Sequence, residues 1–207
     1  MAATTCYYCG VEGRLGYDRV EPGFSYEDDN TVACCSACNY SKGGWNEAEF
    51  RQACSNMIRF LEFGERTRCP VLYRLEVRQK ADTPTYCTTA SAWQSDDVTY
   101  YEFNGERWRR RVIVYRRSRP YYQCKYEAGR RGYEFKLVES EYASLCAAGC
   151  AYCGLLGVGV GVDRVSNEGG YEVGNCQGLC SACNFMKREL GSQEMVRLAG
   201  RVNEMPK

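Results

Sequence analysis

The chain has 207 residues, enough for one large domain or two to three small ones. Apolar residues make up 44%, which permits a core, but no run of roughly 18 or more apolar residues occurs, and this excludes a membrane-spanning helix. The net charge of +1 hides an uneven distribution: residues 105–136 carry eleven Lys/Arg against three Glu, and residues 1–50 carry three Lys/Arg against eight Asp/Glu.

In chain order, the first feature is a pair of cysteines, Cys6 and Cys9, followed by Gly10; a second pair, Cys35 and Cys38, follows. Residues 39–45 read as a loop or short helix. Phe50, Ala53, Met57, Phe60 and Leu61 recur at three- and four-residue steps, so residues 46–63 read as a helix. Asn46 with Glu49 has the form of a capping box at its start, and Gly64 ends it. Residues 66–117 read as strands: 71–77 alternates, while 98–103 and 106–115 have the form of a hairpin about Asn104 and Gly105. A short helix over 121–131, a short strand over 133–137 and a helix over 139–146 lead to a third pair, Cys150 and Cys153. After the fourth pair, Cys180 and Cys183, residues 193–202 read as a last helix with Met195, Val196, Leu198, Ala199 and Val202 on its apolar side.

These pairs belong to an internal repeat. The first copy runs Cys6, Cys9, Gly10, Gly16, Asp18, Arg19, Val20, Tyr26, Glu27, Asn30, Cys35, Cys38, Asn39, Lys42. The second runs Cys150, Cys153, Gly154, Gly161, Asp163, Arg164, Val165, Tyr171, Glu172, Asn175, Cys180, Cys183, Asn184, Lys187. Asp and Asn stand twelve positions apart in both, and 25 residues separate the cysteine pairs in one copy against 26 in the other.

A CxxC turn sets two thiolates on one side of a tight loop, and two such turns supply the tetrahedral sulfur shell that zinc prefers. Four protein ligands leave no open position, so both sites read as structural Zn2+ sites: Cys6, Cys9, Cys35 and Cys38, and Cys150, Cys153, Cys180 and Cys183. A module of about 45 residues is short of core, and metal binding supplies the missing folding free energy. Cys34 and Cys176 lie beside ligand pairs, but neither position is cysteine in the other copy, so both are left out of the shells. Fifteen cysteines, with no charged n-region or apolar h-region at the start, point to metal binding in a reducing compartment, cytoplasm or nucleus, rather than to secretion and a disulfide framework.

The order CxYCG, GxDRV, Asn, CxxCN and Lys resembles the zinc-stabilised HNH (ββα-metal) nucleases, nearest the GxDR-containing members seen in large DNA viruses. Upstream of the second copy, Ala128, Arg130, Arg131, Gly132, Phe135, Leu137, Tyr142 and Leu145 resemble the lead-in of those proteins. The resemblance covers residues 6–60 and 121–203 and implies a treble-clef fold in each copy. In that family an Asp precedes the His that deprotonates water, an Asn orients that His, and the helix after the second CxxC gives a further metal ligand. By position, Asp18 and Asp163 match the Asp, Asn30 and Asn175 match the orienting Asn, and Arg19 and Arg164 stand at the base position. Arginine stays protonated and cannot act as a base, and the chain contains no histidine. Two readings follow. Either both modules are nuclease folds without catalysis, in which Asp–Arg pairs stitch each hairpin and replace the active-site metal, or a tyrosine (Tyr17, Tyr26 or Tyr171) serves as base in an active metal-dependent endonuclease.

In the middle, Arg107, Trp108, Arg109, Arg110, Arg111, Arg116, Arg117 and Arg119 interleave cations with rings. Such a stretch suits phosphates and bases, a protein interface, or a plain strand surface. The overall expectation is an α+β protein: an N-terminal zinc module with its following helix (residues 1–64), a β-rich basic middle (65–120), and a C-terminal zinc module with lead-in and terminal helix (121–207). The expected role is binding or structural, in the form of a capsid-associated component of a large viral particle, with protein or nucleic acid as partner and no small-molecule substrate. A DNA-binding accessory protein is the third reading.

Overall fold

The computed structural model describes residues 4–67, 119–157 and 159–206, together with the backbone of three strands between them. The fold is α+β, with small sheets and helices. Strands β1 (Gly16–Arg19) and β2 (Thr31–Cys34) pair antiparallel, helix α1 (Ser36–Lys42) follows directly, and α2 (Glu47–Phe63) completes the first module. The second module repeats this order with β6 (Val160–Arg164), β7 (Cys176–Cys180), α5 (Ser181–Lys187) and α6 (Ser192–Glu204). Before it come α3 (Tyr121–Arg130) and α4 (Glu139–Ala148). Residues 133–137, read as a strand from the sequence, make only an isolated parallel bridge, Phe135 to Tyr171.

Between the modules, β3 (Arg74–Lys80), β4 (Trp93–Phe103) and β5 (Glu106–Tyr115) form one antiparallel sheet with β5 in the centre. Of the alternating residues 71–77, 74–77 lie on β3, which runs on to Lys80, and 71–73 lie outside the described residues. Phe103 pairs with Glu106, so the hairpin closes over residues 104 and 105, which themselves lie outside the described residues.

Local sequence explains the longest helix. Asn46 accepts from the Glu49 amide at 2.9 Å, the Glu49 carboxylate accepts from the Asn46 amide at 3.3 Å, and Gly64 ends the helix in the left-handed conformation at φ 69°. In α6 half of this device survives. Gly191 has no side chain to cap with, and only its amide, bonded to Glu194 at 2.9 Å, remains.

The two modules bury their apolar faces against each other. α2 packs on α6 and α1 on α5, and one core holds both cysteine clusters with Tyr8, Trp45, Phe50, Met57, Met186, Met195 and Leu198. The Trp45 and Phe185 rings meet across the modules at 5.6 Å. The contact is reciprocal. A Cβ added at Gly154 in the second module would lie 2.5 Å from the Phe60 ring of the first, and one added at Gly10 would lie 2.9 Å from the Met205 sulfur of the second. Each glycine thus lets the far end of the other module's long helix close over a cysteine turn.

Among the described residues, the second copy alone carries a satellite core. Cys124, Leu137, Tyr142, Val162 and Cys176 fix α3 and α4 to the outer side of β6 and β7. Gly178 permits this. A Cβ there would meet the carbonyl oxygens of Leu145 and Gly149 at 2.4 Å, so α4 ends directly on the strand.

Because the core is common, its loss in one module is felt in both. Met195→Ala removes a side chain with 0% exposure and is expected to cost about 2–5 kcal/mol. Hydrogen-exchange mass spectrometry should show protection falling in α2 as well as in α6; loss confined to α6 would indicate two independent cores.

Candidate metal centres and the buried lysine pairs

Each cysteine cluster is assembled from two local structures. The first is a tight turn in which the Gly10 amide donates to the Cys6 carbonyl at 2.8 Å, and Gly154 to Cys150 at 2.9 Å. The glycines sit at φ 66° and 67°, a left-handed conformation that other residues adopt only with strain. The second is a helix start: Cys35 and Cys180 cap α1 and α5, and their sulfurs accept from the amides of Cys38 and Cys183 at 3.4 Å. The sequence CxxCN therefore sets a strand end, a helix cap and two ligands at once.

The four sulfurs of each set, Cys6, Cys9, Cys35 and Cys38, and Cys150, Cys153, Cys180 and Cys183, lie within 4.8 Å of one another, and each set could hold a metal ion. Cys9 and Cys35 stand 3.8 Å apart, and Cys153 and Cys180 3.7 Å. A disulfide needs about 2.05 Å. A tetrahedron with Zn–S of about 2.3 Å has edges of about 3.8 Å, so the spacing fits that ion. The electrostatics agree. The Cys150 thiol is drawn far down by bonds from Cys153, Cys180 and Cys183, while Cys183 is pushed up, foremost by Cys150. In the first cluster Cys6 is drawn down, foremost by Cys34, and Cys38 is pushed up, foremost by Cys35. Four close thiols that pull one another's proton affinity apart in this way form a donor set suited to a cation.

Cys34 stands outside the first set. Its buried thiol donates to the Cys35 carbonyl at 3.3 Å, where the second copy has Leu179. Cys176 points away from the second set into the satellite core.

The Asp–Arg pairs anticipated from the sequence do not form. Neighbouring strand residues face opposite ways. Asp18 and Asp163 turn toward the helix that follows the second cysteine pair, and each meets a lysine there. Lys42 Nζ stands 3.1 Å from Asp18 Oδ2, and Lys187 Nζ stands 3.2 Å from Asp163 Oδ2; both lysine side chains have 0% exposure. Lys42 also donates to the Arg19 carbonyl at 2.7 Å, and the Tyr8 hydroxyl donates to Asp18 at 2.8 Å. In the second copy Gln177 approaches Asp163 and the Tyr152 hydroxyl, each at 3.5 Å. Burial pushes the Asp163 carboxyl up, and Lys187 draws it back.

The arginines face the other way and clamp the loop between the strands. Arg19 donates to the Phe24 carbonyl at 3.0 Å with Tyr26 beneath it at 5.0 Å. Arg164 donates to the carbonyls of Asn167 and Gly169 at 2.8 and 2.7 Å and lies over Tyr133 at 3.6 Å. Asn30 and Asn175 do not orient the arginines. Their amides tie the same loop, Asn30 through Glu21 and Ser25 and Asn175 through Ser166 and Gly170. Of the tyrosines considered as a base, Tyr17 and Tyr26 lie exposed on the first module, and burial pushes the Tyr171 hydroxyl up, away from a base's range.

The structural roles of Lys42, Lys187 and Tyr8 were not deduced from the sequence, although both lysines recur four residues after a ligand cysteine and a tyrosine precedes Cys9 and Cys153 alike. Of the basic stretch, residues 107–111 lie on β5, with Arg109 opposite Gln79 and Tyr100, and Arg110 opposite Arg78 and Thr99. Arg116 and Arg117 lie outside the described residues. Arg119 is exposed beside the second module.

Among the described residues no helix is long and apolar enough to cross a membrane. Comparison with known protein families gives no match, and no solved structure matches. The chain is similar to an uncharacterized protein of Acanthamoeba polyphaga mimivirus, with 26% identity over 195 residues, 91% of this chain and 29% of the relative. The chain thus spans under a third of that relative's length.

Two outcomes test this geometry. Elemental analysis should find two zinc ions per chain, and Cys150→Ser should lower the content to one or fewer; full content in that variant would remove Cys150 from the shell. Lys42→Met leaves a buried carboxylate unpaired and is expected to cost about 3–5 kcal/mol in chemical denaturation, whereas Asp18→Leu with Lys42→Met should recover most of it.

Proposed function

We propose that the protein is a non-catalytic zinc scaffold whose two treble-clef modules derive from the HNH nuclease fold, and that it serves as a binding or structural component of a viral particle. The observation that carries this reading is the pair of buried lysines. In an HNH nuclease the strand aspartate holds a divalent ion against the scissile phosphate. Here an ammonium stands at 3.1 and 3.2 Å from that aspartate in both copies, on the helix that would give the further metal ligand. The single charge of each carboxylate is already answered, and a hydrated divalent ion would have to displace a side chain with 0% exposure.

The position of the base supports the same reading. Arg19 and Arg164 are permanent cations fastened to carbonyl groups of their own loops, and Asn30 and Asn175 are engaged in closing those loops. Similarity to an uncharacterized mimivirus protein supports the viral setting of this reading.

A plasmid-nicking assay tests the absence of catalysis. With Mg2+ or Mn2+ the zinc-loaded chain should leave supercoiled DNA intact. Cleavage that disappears in Asp163→Ala would overturn the reading and make the protein an endonuclease.

A further inference from the structure

The second module carries a groove. It has a volume of about 830 Å3, and four guanidinium groups line it: Arg119, Arg131, Arg164 and Arg188. Its acids are Asp163, already paired with Lys187, and Glu189. Among the described residues, Arg119 and Arg188 form no ion pair with a carboxylate. Arg131 reaches Glu127 only at 4.0 Å, and that carboxylate is held by Arg130 at 3.0 Å. The groove therefore concentrates positive charge that the acids among the described residues leave largely unanswered.

Its rings already carry cations. Arg188 lies over Phe185 at 4.2 Å, and Arg164 over Tyr133 at 3.6 Å. Tyr171, also on the wall, is stacked on Phe135 at 5.2 Å. The aromatic faces thus brace guanidinium groups rather than wait for a base. This arrangement holds the donors in place and suits recognition of an anion by charge and hydrogen bonds.

Arg188 supplies a second, independent observation. It is the one non-glycine residue with positive φ among the described residues, at 44°, and the equivalent position in the first copy is Gly43 at φ 51°. The turn needs a left-handed residue, and glycine fulfils it without strain. An arginine kept there against its backbone preference points to work done by its side chain. Arg119, Arg131 and Tyr133, which also line the groove, flank α3, a helix with no counterpart among the described residues before β1.

We infer that this groove binds a phosphate-bearing anion through Arg119, Arg131 and Arg188, with Arg164 fixed as part of its wall. Planar guanidinium groups match phosphate oxygens in pairs, and three cations lining one groove suit a multiply charged phosphate better than a single carboxylate. The ligand is a phosphate ester or oligophosphate, or the phosphodiester backbone of a nucleic acid strand. The inference does not depend on whether the module descends from a nuclease.

Calorimetry on the zinc-loaded full chain at low salt tests it, with tripolyphosphate, ATP, adenosine and a short single-stranded oligonucleotide as probes. Tripolyphosphate and ATP should bind alike and adenosine should not. Arg188→Gly, which restores the residue of the other copy, should leave the melting temperature unchanged or higher and weaken phosphate binding about tenfold. Arg119→Ala should weaken it similarly, and Arg14→Ala, an exposed change on the first module, should not. Oligonucleotide binding far tighter than tripolyphosphate, with a steep salt dependence, assigns the site to a nucleic acid backbone; equal affinities assign it to a small phosphate. Absence of binding by any phosphate probe, adenosine binding as tightly as ATP, or wild-type affinity in both Arg188→Gly and Arg119→Ala would overturn the proposal.

Discussion

In each copy a left-handed turn and the start of a helix meet at four sulfur atoms, and that meeting sets the direction of every other described element around it. The turn brings the first two sulfurs together ahead of β1 and β6, and the helix cap fixes where β2 and β7 end. Four thiols brought this close without a cation would hold one another in mixed protonation inside a poorly solvated site, so the cage is stable only as a metal site or at some cost to the fold. The clusters lie inside the common core rather than on its rim. Occupation of these sites by a metal would therefore be coupled to the burial of Trp45, Phe50, Met186 and Met195.

A buried lysine beside a buried aspartate needs the same kind of account. Desolvating both charges costs several kcal/mol each, and their attraction offsets this only when the remaining hydrogen-bonding groups are satisfied. In the first module they are: Lys42 has the Arg19 carbonyl and Asp18 has the Tyr8 hydroxyl. In the second the set is looser, with Gln177 at 3.5 Å and no carbonyl bonded to Lys187, and there the carboxyl is pushed up. The pair is a poor source of stability. Its better explanation is that it holds the short helix and the hairpin in one relative position, which a metal shared between them would otherwise do.

The parts of this architecture that depend on local chemistry were legible in the sequence. The ligand sets followed from matching two copies, and α2 followed from Asn46, Glu49 and Gly64, because caps and turns need particular residues at particular offsets. What could not be read was partner choice between neighbours. Asp18 and Arg19 look like an ion pair in one dimension, yet strand geometry sends them to opposite faces, and the true partner lies 24 residues on, at Lys42. Equally hidden was the packing of the two copies on each other. Phe60 and Met205 look like ordinary helix-end residues until the glycines they cover are seen.

Reciprocal packing also explains why the copies could not remain equal. Where α1 and α5 touch, the same position from each copy approaches the contact. A Cβ on Gly43 would lie 2.5 Å from the Phe185 ring and 2.8 Å from the Arg188 guanidinium. Phe185 and Arg188 of one copy thus occupy the space that a side chain at the matching position of the other would need. The ring is the firmer barrier, because the guanidinium is the far end of a flexible side chain, so residue 43 is held to glycine by Phe185. Arg188 itself is exposed and lines the same groove as Arg119 and Arg131. Packing thus explains the glycine of the first copy and leaves the second copy room for an arginine.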